Sequence, residues 1–232
     1  MSSMTGWTKA APEGRSYLYY FTSGKHALSN VEKRQVKISR FDKCNDIFEL
    51  ASFSMESREV RTRHEAWLEK ANNSFGLICL SRRWRKALMW AHYGDTGRGA
   101  CLVFSIPKAH FTHVEYIPKR LPSKDDFQFP EPRMDFEFFK FSSKKFSAWR
   151  YESEARHFCN LNDNQNIIDD GELKFLKFSH DFELVGIING PKPSISQVEF
   201  LDAFKKPLEF FQCRAAFTGF HLTSQRQKEL WK

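Results

Sequence analysis

The spacing of apolar residues changes several times along this chain, from the alternation of β-strands to the three- and four-residue spacing of amphipathic helices. Alternating or continuous apolar runs predict strands at residues 17–22, 36–39, 75–80, 100–106, 113–117, 149–160, 173–178 and 184–188. Helical spacing predicts a short helix capped by Ser23 and helices at residues 57–72, 82–93, 134–148 and 194–211, the last kinked at Pro207.

These elements follow one another irregularly rather than as repeated strand–helix–strand units. The order predicts an α+β fold with a central, mostly antiparallel or split β-sheet flanked by helices. A chain of 232 residues suits one domain, which we place at residues 17–232. Residues 1–16 are small, polar and interrupted by Gly and Pro, and they predict a flexible N-terminal arm. The Pro-rich segment 118–132 predicts a surface loop or a flap over a cleft.

The composition indicates the kind of partner and compartment. A net charge of +8 favours an acidic partner, such as DNA, RNA or a phosphorylated small molecule. Five cysteines without a Cys-x-x-Cys pair indicate reduced thiols in a cytoplasmic protein, and no metal-ligand spacing links Cys and His. No apolar run is long enough for a signal peptide or a membrane span, so we expect no membrane partner.

The segment at residues 149–156, with the sequence WRYESEAR, holds the strongest candidate site. On a strand, Glu152, Glu154 and Arg156 would share one face, because side chains alternate with a period of two. Such a polar face suits the floor of a cleft better than an apolar core. The alternative is a solvated strand with ordinary ion pairs across strands.

Three further clusters are weaker candidates. Tyr19 and Tyr20 place hydroxyls on an early strand, although aromatic residues of a core or an interface are the more common explanation. Asn45, with Asp46 and Glu49, forms a polar cluster that also fits an Asx turn. Trp90 and His92 end a helix before a Gly-rich turn, where a histidine more often interacts with the helix C-terminus than acts in catalysis.

The chain resembles the bacterial DUF2971 family over roughly residues 17 to 190. The motifs that carry the resemblance are YYF at 19–21, NDIFE at 45–49, CLS at 79–81, LMWAHY at 88–93, GACLVF at 99–104, VEY at 114–116, Lys145 with WRYESEAR at 149–156, and IING at 187–190. Where the family usually has Asn-Asp-Pro, this chain has Asn45-Asp46-Ile47, which predicts a less rigid loop. The family name itself implies no activity.

The Glu-x-Glu spacing on a late strand also resembles the third motif of ADP-ribosyltransferases. This resemblance implies an enzyme that uses NAD as substrate, with Glu154 as the catalytic carboxylate. Glu154 would stabilise the positive charge that develops on the ribose, and Glu152 would orient or deprotonate the acceptor.

The same resemblance implies the residues that would bind NAD. A tyrosine, Tyr19 or Tyr20, would stack on nicotinamide, and Ser39 would hold the ring or the ribose. Arg156 or Arg150 would bind the pyrophosphate. His92 and Trp90, together with Asn45, complete the set that we expect near the dinucleotide.

The acceptor and the biological setting stay open at this level. DNA or RNA suits the positive charge as acceptor, and a toxin or antiphage effector, with a protein partner or antitoxin, suits the family resemblance. One alternative is a nucleic-acid-binding defence module without NAD chemistry. Another is a nuclease whose carboxylates hold Mg²⁺, although a same-face arginine is unusual at such a site.

Overall fold

The computed structural model describes residues 10–163, 165–205 and 207–232. Contacts divide the chain into two compact units, each built from separate stretches of sequence. The described residues of Met1–Val36, Leu80–Lys108 and Lys177–Lys232 form the first unit, and those of Lys37–Cys79 and Ala109–Leu176 form the second unit.

The described residues contain thirteen β-strands. In chain order they are β1 (Arg15–Thr22), β2 (Gln35–Lys37), β3 (Phe75–Ser81), β4 (Ala100–Pro107), β5 (Thr112–His113), β6 (Glu115–Ile117), β7 (Lys144–Phe146), β8 (Glu154–Asn160), β9 (Ile167–Asp169), β10 (Lys174–Lys177), β11 (Glu183–Asn189), β12 (Glu209–Ala215) and β13 (Leu222–Ser224).

The same described residues contain five α-helices. The α-helices are α1 (Gly24–Lys33), α2 (Arg58–Ser74), α3 (Ala87–His92), α4 (Phe136–Phe141) and α5 (Gln197–Phe204). Single 3-10 helices occur at Phe41–Lys43, Asp95–Gly97, Lys108–His110, Ser147–Glu152 and Lys228–Leu230.

The first unit is built on the strand order β13-β12-β11-β4-β1, with the end of β3 beside β1. Neighbouring strands are antiparallel except β11 and β12, which run parallel and are connected through α5. Strand β4 is buried along nearly its whole length, and apart from Ser105 its side chains are apolar on both faces. Helix α1, whose first turn is capped by the Ser23 hydroxyl, packs on β4 and α5.

The second unit has strands β3, β8 and β5 in that order, a parallel pair β6–β7, and an antiparallel pair β9–β10. Its longest helix, α2, begins where the Ser57 hydroxyl accepts a hydrogen bond from the Val60 N–H. The buried positions of α2 (Val60, His64, Trp67 and Ala71) are three or four residues apart and therefore lie on one face.

Aromatic residues fill the core of the second unit. Phe138 of α4 is fully buried, and its ring lies within 6.4 Å, centroid to centroid, of each of the rings of Phe41, Trp67, Phe75 and Phe158. Offset and edge-on ring pairs of this kind add to the stabilisation that burial alone provides. This core explains much of the high phenylalanine content of the chain.

The predicted fold class is confirmed, since helices flank a mostly antiparallel sheet. The prediction of one domain over residues 17–232 stays a prediction, as does that of the arm. Arg15 and Ser16 of the predicted arm already pair with β4, while residues 1–9 of it lie outside the described residues.

Five predicted elements are wrong in extent or type. The predicted strand at 113–117 is divided at Val114 into β5, which pairs with β8, and β6, which pairs with β7. The predicted helix at 82–93 is confined to α3, and the predicted helix at 134–148 ends at Phe141 and is followed by β7. The predicted helix at 194–211 ends at Phe204, because Lys205 adopts a left-handed conformation with φ 48°, and strand β12 follows. The predicted strand at 149–160 begins only at Glu154, because a 3-10 helix occupies Ser147–Glu152.

We expect Phe138→Ala to destabilise the protein by roughly 3–5 kcal/mol, because it removes the ring at the centre of the aromatic core. The matched control is Phe136→Ala on the same helix, whose side chain is 70% exposed and which should change stability by less than about 1 kcal/mol. Urea unfolding of both variants checks this. Equal effects of the two substitutions would contradict the position of α4.

Candidate functional site

A tight turn brings Glu152 and Glu154 together. Glu152 is the last residue of the 3-10 helix, and Glu154 is the first residue of β8. Between them Ser153 takes a left-handed conformation with φ 47°, and its N–H donates to the Arg150 carbonyl oxygen. The prediction that Glu152, Glu154 and Arg156 share one face of a single strand is therefore wrong for Glu152, which precedes the strand. The two glutamates approach each other because Ser153, between the 3-10 helix and β8, has left-handed backbone angles that turn the chain.

Lys145 joins the two carboxylates. Its ammonium Nζ lies 2.6 Å from Oε2 of Glu152 and 3.1 Å from Oε2 of Glu154. All three side chains are buried, with 3–6% exposure. Strand β7 positions the lysine by pairing in parallel with β6, where Lys145 lies opposite Tyr116. The ring of Trp149 lies 4.9 Å from the same ammonium, a cation–π contact.

Arg156 holds the other side of Glu154. Its Nε donates to Oε1 of Glu154 at 2.9 Å, as expected for residues two apart on strand β8. Its Nη1 and Nη2 donate to the two carboxylate oxygens of Glu49 at 2.5 and 3.0 Å, and Nη1 also donates to the Ser142 carbonyl oxygen. The guanidinium is completely buried, so these acceptors must replace the water that would otherwise stabilise its positive charge. We call Glu49, Lys145, Glu152, Glu154 and Arg156 the charge cluster.

Tyr116 completes the surroundings of Glu154. Its hydroxyl oxygen accepts a hydrogen bond from the backbone N–H of Glu154 at 2.8 Å. Burial raises the pKa of Tyr116 to about 12, and the nearby carboxylates act in the same direction. The phenol therefore stays protonated at neutral pH and fixes the first residue of β8.

The charge cluster sets the protonation of its members. Burial alone would raise the pKa of Glu154, but attraction and hydrogen bonds from Arg156 and Lys145 outweigh it and lower the pKa to about 2. Burial opposes the charge of Lys145 as well, yet Glu154 and Glu152 raise its pKa above the ordinary value. At neutral pH the site therefore holds an ionised carboxylate against a charged ammonium and a guanidinium.

Four of the predicted site residues belong to the first unit, and two of these have clear structural roles. Tyr19 and Tyr20 lie on β1, where Tyr19 is buried and burial raises its pKa. Trp90 of α3 is buried, donates its indole N–H to the Trp84 carbonyl oxygen and meets the ring of Phe21 edge-on. His92 is the last residue of α3 and is exposed.

Ser39 and Asn45 belong to the second unit, together with the charge cluster. Ser39 exchanges two backbone hydrogen bonds with Leu77 in an isolated β-bridge. Asn45 is exposed in the loop that follows the first 3-10 helix. The next residue, Asp46, accepts from the Phe48 N–H and forms the Asx turn expected as the alternative for this cluster.

Sequence reasoning missed the roles of two members of the charge cluster. Lys145 and Glu49 both stood in the motifs of the DUF2971 resemblance, but neither was given a role. The signal in the sequence was the apolar character of their neighbours. Each lies in a segment rich in phenylalanine, where a buried charge needs a partner of opposite charge. Arg150 was expected at a pyrophosphate. It is exposed, and its guanidinium lies 5.7 Å from the Tyr116 ring.

The structure places a cavity of about 190 Å³ beside Lys145. Lys145 forms part of its wall, whereas Glu152 and Glu154 do not line it. Three more cations, Lys119, Arg120 and Lys144, also line the cavity. Lys145 is thus the member of the charge cluster that borders this cavity.

Comparison with known protein families, curated proteins and solved structures finds no match for this chain. The DUF2971 and ADP-ribosyltransferase resemblances therefore stay predictions from the motifs. Within residues 10–163, 165–205 and 207–232, no helix is both long and apolar enough to span a bilayer. The same residues contain no group of three or more His, Cys, Asp or Glu side chains arranged to hold a metal ion.

We expect Lys145→Met to destabilise the protein by roughly 3–5 kcal/mol at neutral pH, because two buried carboxylates lose their shared cation. The matched control is Lys144→Met. Lys144 pairs at 3.2 Å with Glu115, whose side chain is 62% exposed, and its loss should cost less than about 1 kcal/mol. Chemical denaturation of both variants measures the difference. Similar losses for the two lysines would show that the cluster is not a buried ion network.

The lowered pKa of Glu154 predicts the pH dependence of stability. In the unfolded chain this carboxyl titrates near its ordinary value of 4.5, and in the folded protein near 2. Its contribution to stability is therefore present above pH 4.5 and is lost as the pH falls towards 2. The stability difference between the protein and its Glu154→Gln variant, followed by urea unfolding, should be large at neutral pH and shrink in that interval. A difference that is independent of pH would contradict this assignment.

Proposed function

We propose that the protein is an ADP-ribosyltransferase-like enzyme that uses NAD to modify a macromolecular acceptor. The observation that carries the proposal is the meeting of Glu152 and Glu154 on one ammonium, that of Lys145, whose side chain lines a cavity. Paired carboxylates are what the cleavage of a glycosidic bond needs, one to stabilise charge on the sugar and one to handle a proton.

In the proposed reaction the bond between the nicotinamide nitrogen and ribose C1′ breaks, and its electron pair leaves with nicotinamide. The pyridinium thereby becomes neutral, while positive charge develops on the ribose. Glu154 faces this charge as an anion, because the Arg156 guanidinium, which remains bonded to it when Lys145 moves, opposes the effect of burial and lowers its pKa. A nucleophilic group of the acceptor then bonds to C1′, and its proton passes to Glu152.

The proposal requires a movement of Lys145. Its ammonium donates to Oε2 of Glu152 and to Oε2 of Glu154, and Arg156 donates to Oε1 of Glu154. For a ribose to reach the carboxylates, the lysine side chain must turn towards the cavity that it already lines. An anionic substrate would favour this movement, because its phosphates attract the released ammonium.

The test is turnover of labelled NAD in the presence of DNA, RNA or protein acceptors. We expect Glu154→Gln to lower turnover by about 100-fold or more, the usual loss when one electrostatic stabiliser is removed. The matched control is Glu49→Gln. It makes the same carboxylate-to-amide change on the other side of Arg156, but this residue is not proposed to face the sugar.

Both variants must be compared at a temperature where circular dichroism shows each of them folded. Loss of turnover in Glu154→Gln with most of it kept in Glu49→Gln supports the proposal. Equal losses would assign Glu154 to the ion network alone. Absence of NAD turnover by the unmodified protein with every acceptor class would reject the proposed reaction.

A nucleic-acid-binding module without NAD chemistry is the second candidate, and the four cations around the cavity favour it. The arginine-rich start of α2 offers less support, since Arg61 donates to the Met55 and Glu56 carbonyl oxygens and Arg63 donates to that of Asp125. This candidate predicts salt-sensitive binding of DNA or RNA that Glu154→Gln leaves intact.

A further inference from the structure

We propose that the cavity beside Lys145 binds a small free organic anion that carries a planar ring, such as an aromatic phosphate monoester. The cavity is lined by the cations Lys119, Arg120, Lys144 and Lys145 and by the aromatic rings of Phe48 and Phe146. Among the described residues no Asp or Glu lines it. The inference does not rest on NAD chemistry, since these residues would bind such an anion whether or not the protein cleaves NAD.

The four cations differ in how far the protein already neutralises them. Lys145 is shared by Glu152 and Glu154. The ammonium of Lys144 donates to the Lys140 carbonyl oxygen at 3.0 Å and faces Glu115. Lys119 and Arg120, by contrast, are exposed. These two therefore provide the charge that an incoming anion would find, because carboxylates already neutralise Lys144 and Lys145.

The apolar part of the lining indicates a ring rather than a bare inorganic ion. Phe48 and Phe146 are 45% and 46% exposed, which leaves much of their apolar surface in contact with water. The guanidinium of Arg120 already lies 4.9 Å from the centre of the Phe48 ring, so cation and ring are presented side by side. A ligand with a planar ring next to its charged group would cover the phenylalanines and reach the arginine together.

The size of the cavity limits the ligand. At about 190 Å³ it is smaller than the roughly 300–1,000 Å³ that holds a drug-sized molecule. It encloses one ring with one charged group, so a nucleotide, a dinucleotide or a nucleic-acid strand would place only such a fragment inside it. A cavity of this size, with a mostly apolar surface and the exposed cations Lys119 and Arg120 beside it, is therefore a site for a ring-bearing monoanion or dianion of low molecular weight.

The experiment measures binding of phenyl phosphate to the full chain by isothermal titration calorimetry. Benzyl alcohol serves as the uncharged ring and inorganic phosphate as the ringless anion. We expect phenyl phosphate to bind more tightly than either. The double substitution Lys119→Ala and Arg120→Ala should weaken its binding by about tenfold or more, the effect of losing charge-assisted contacts. The matched control, Lys25→Ala with Lys192→Ala, removes two exposed cations of the first unit and should leave the affinity unchanged.

The outcomes separate this inference from the proposed function. Binding of phenyl phosphate that is lost in the Lys119/Arg120 variant alone supports the site, even if NAD is never turned over. No binding of phenyl phosphate, equal binding of benzyl alcohol, or equal loss in the control variant would overturn it. Binding of an oligonucleotide without binding of phenyl phosphate would overturn it too and would favour the nucleic-acid module.

Discussion

The second unit depends on one interaction, the contact of the Lys145 ammonium with Glu152 and Glu154. Charged groups are costly to remove from water, and a buried ion is tolerated only when its partners are close and well oriented. Here the 3-10 helix, the start of β8 and strand β7 all have to be in place for these atoms to meet. The local backbone geometry of three elements is therefore tied to one ammonium.

Arg156 extends the same constraint to Glu49 and to the end of α4. Its guanidinium donates to both carboxylate oxygens of Glu49 and to the carbonyl oxygen of Ser142, the residue that follows the helix. The aromatic core lies close by along the chain, since α4 contributes Phe138. An apolar core and an ionic core thus meet at Ser142, and each limits how the other can rearrange.

The sequence predicted the fold class and many strands because apolar periodicity is a local signal, and strands such as β4 and β11 are apolar runs bounded by turn residues. It failed where a single residue changes the backbone direction. Ser153 and Lys205 adopt left-handed conformations, although neither residue type favours that region as glycine does. The pairing of Glu154 with Arg156 followed from the spacing of two, whereas the contacts of Lys145 and Glu49 depend on tertiary structure that no local pattern records.

The bond between Arg156 and Glu49 joins positions 107 residues apart. Closing a loop of this length costs conformational entropy, which the interactions that hold the loop closed must offset. During synthesis, a growing chain that has not reached residue 156 lacks the cation that Glu49 contacts in the folded protein. The second unit can therefore complete its ionic interior only after most of the polypeptide has been synthesised.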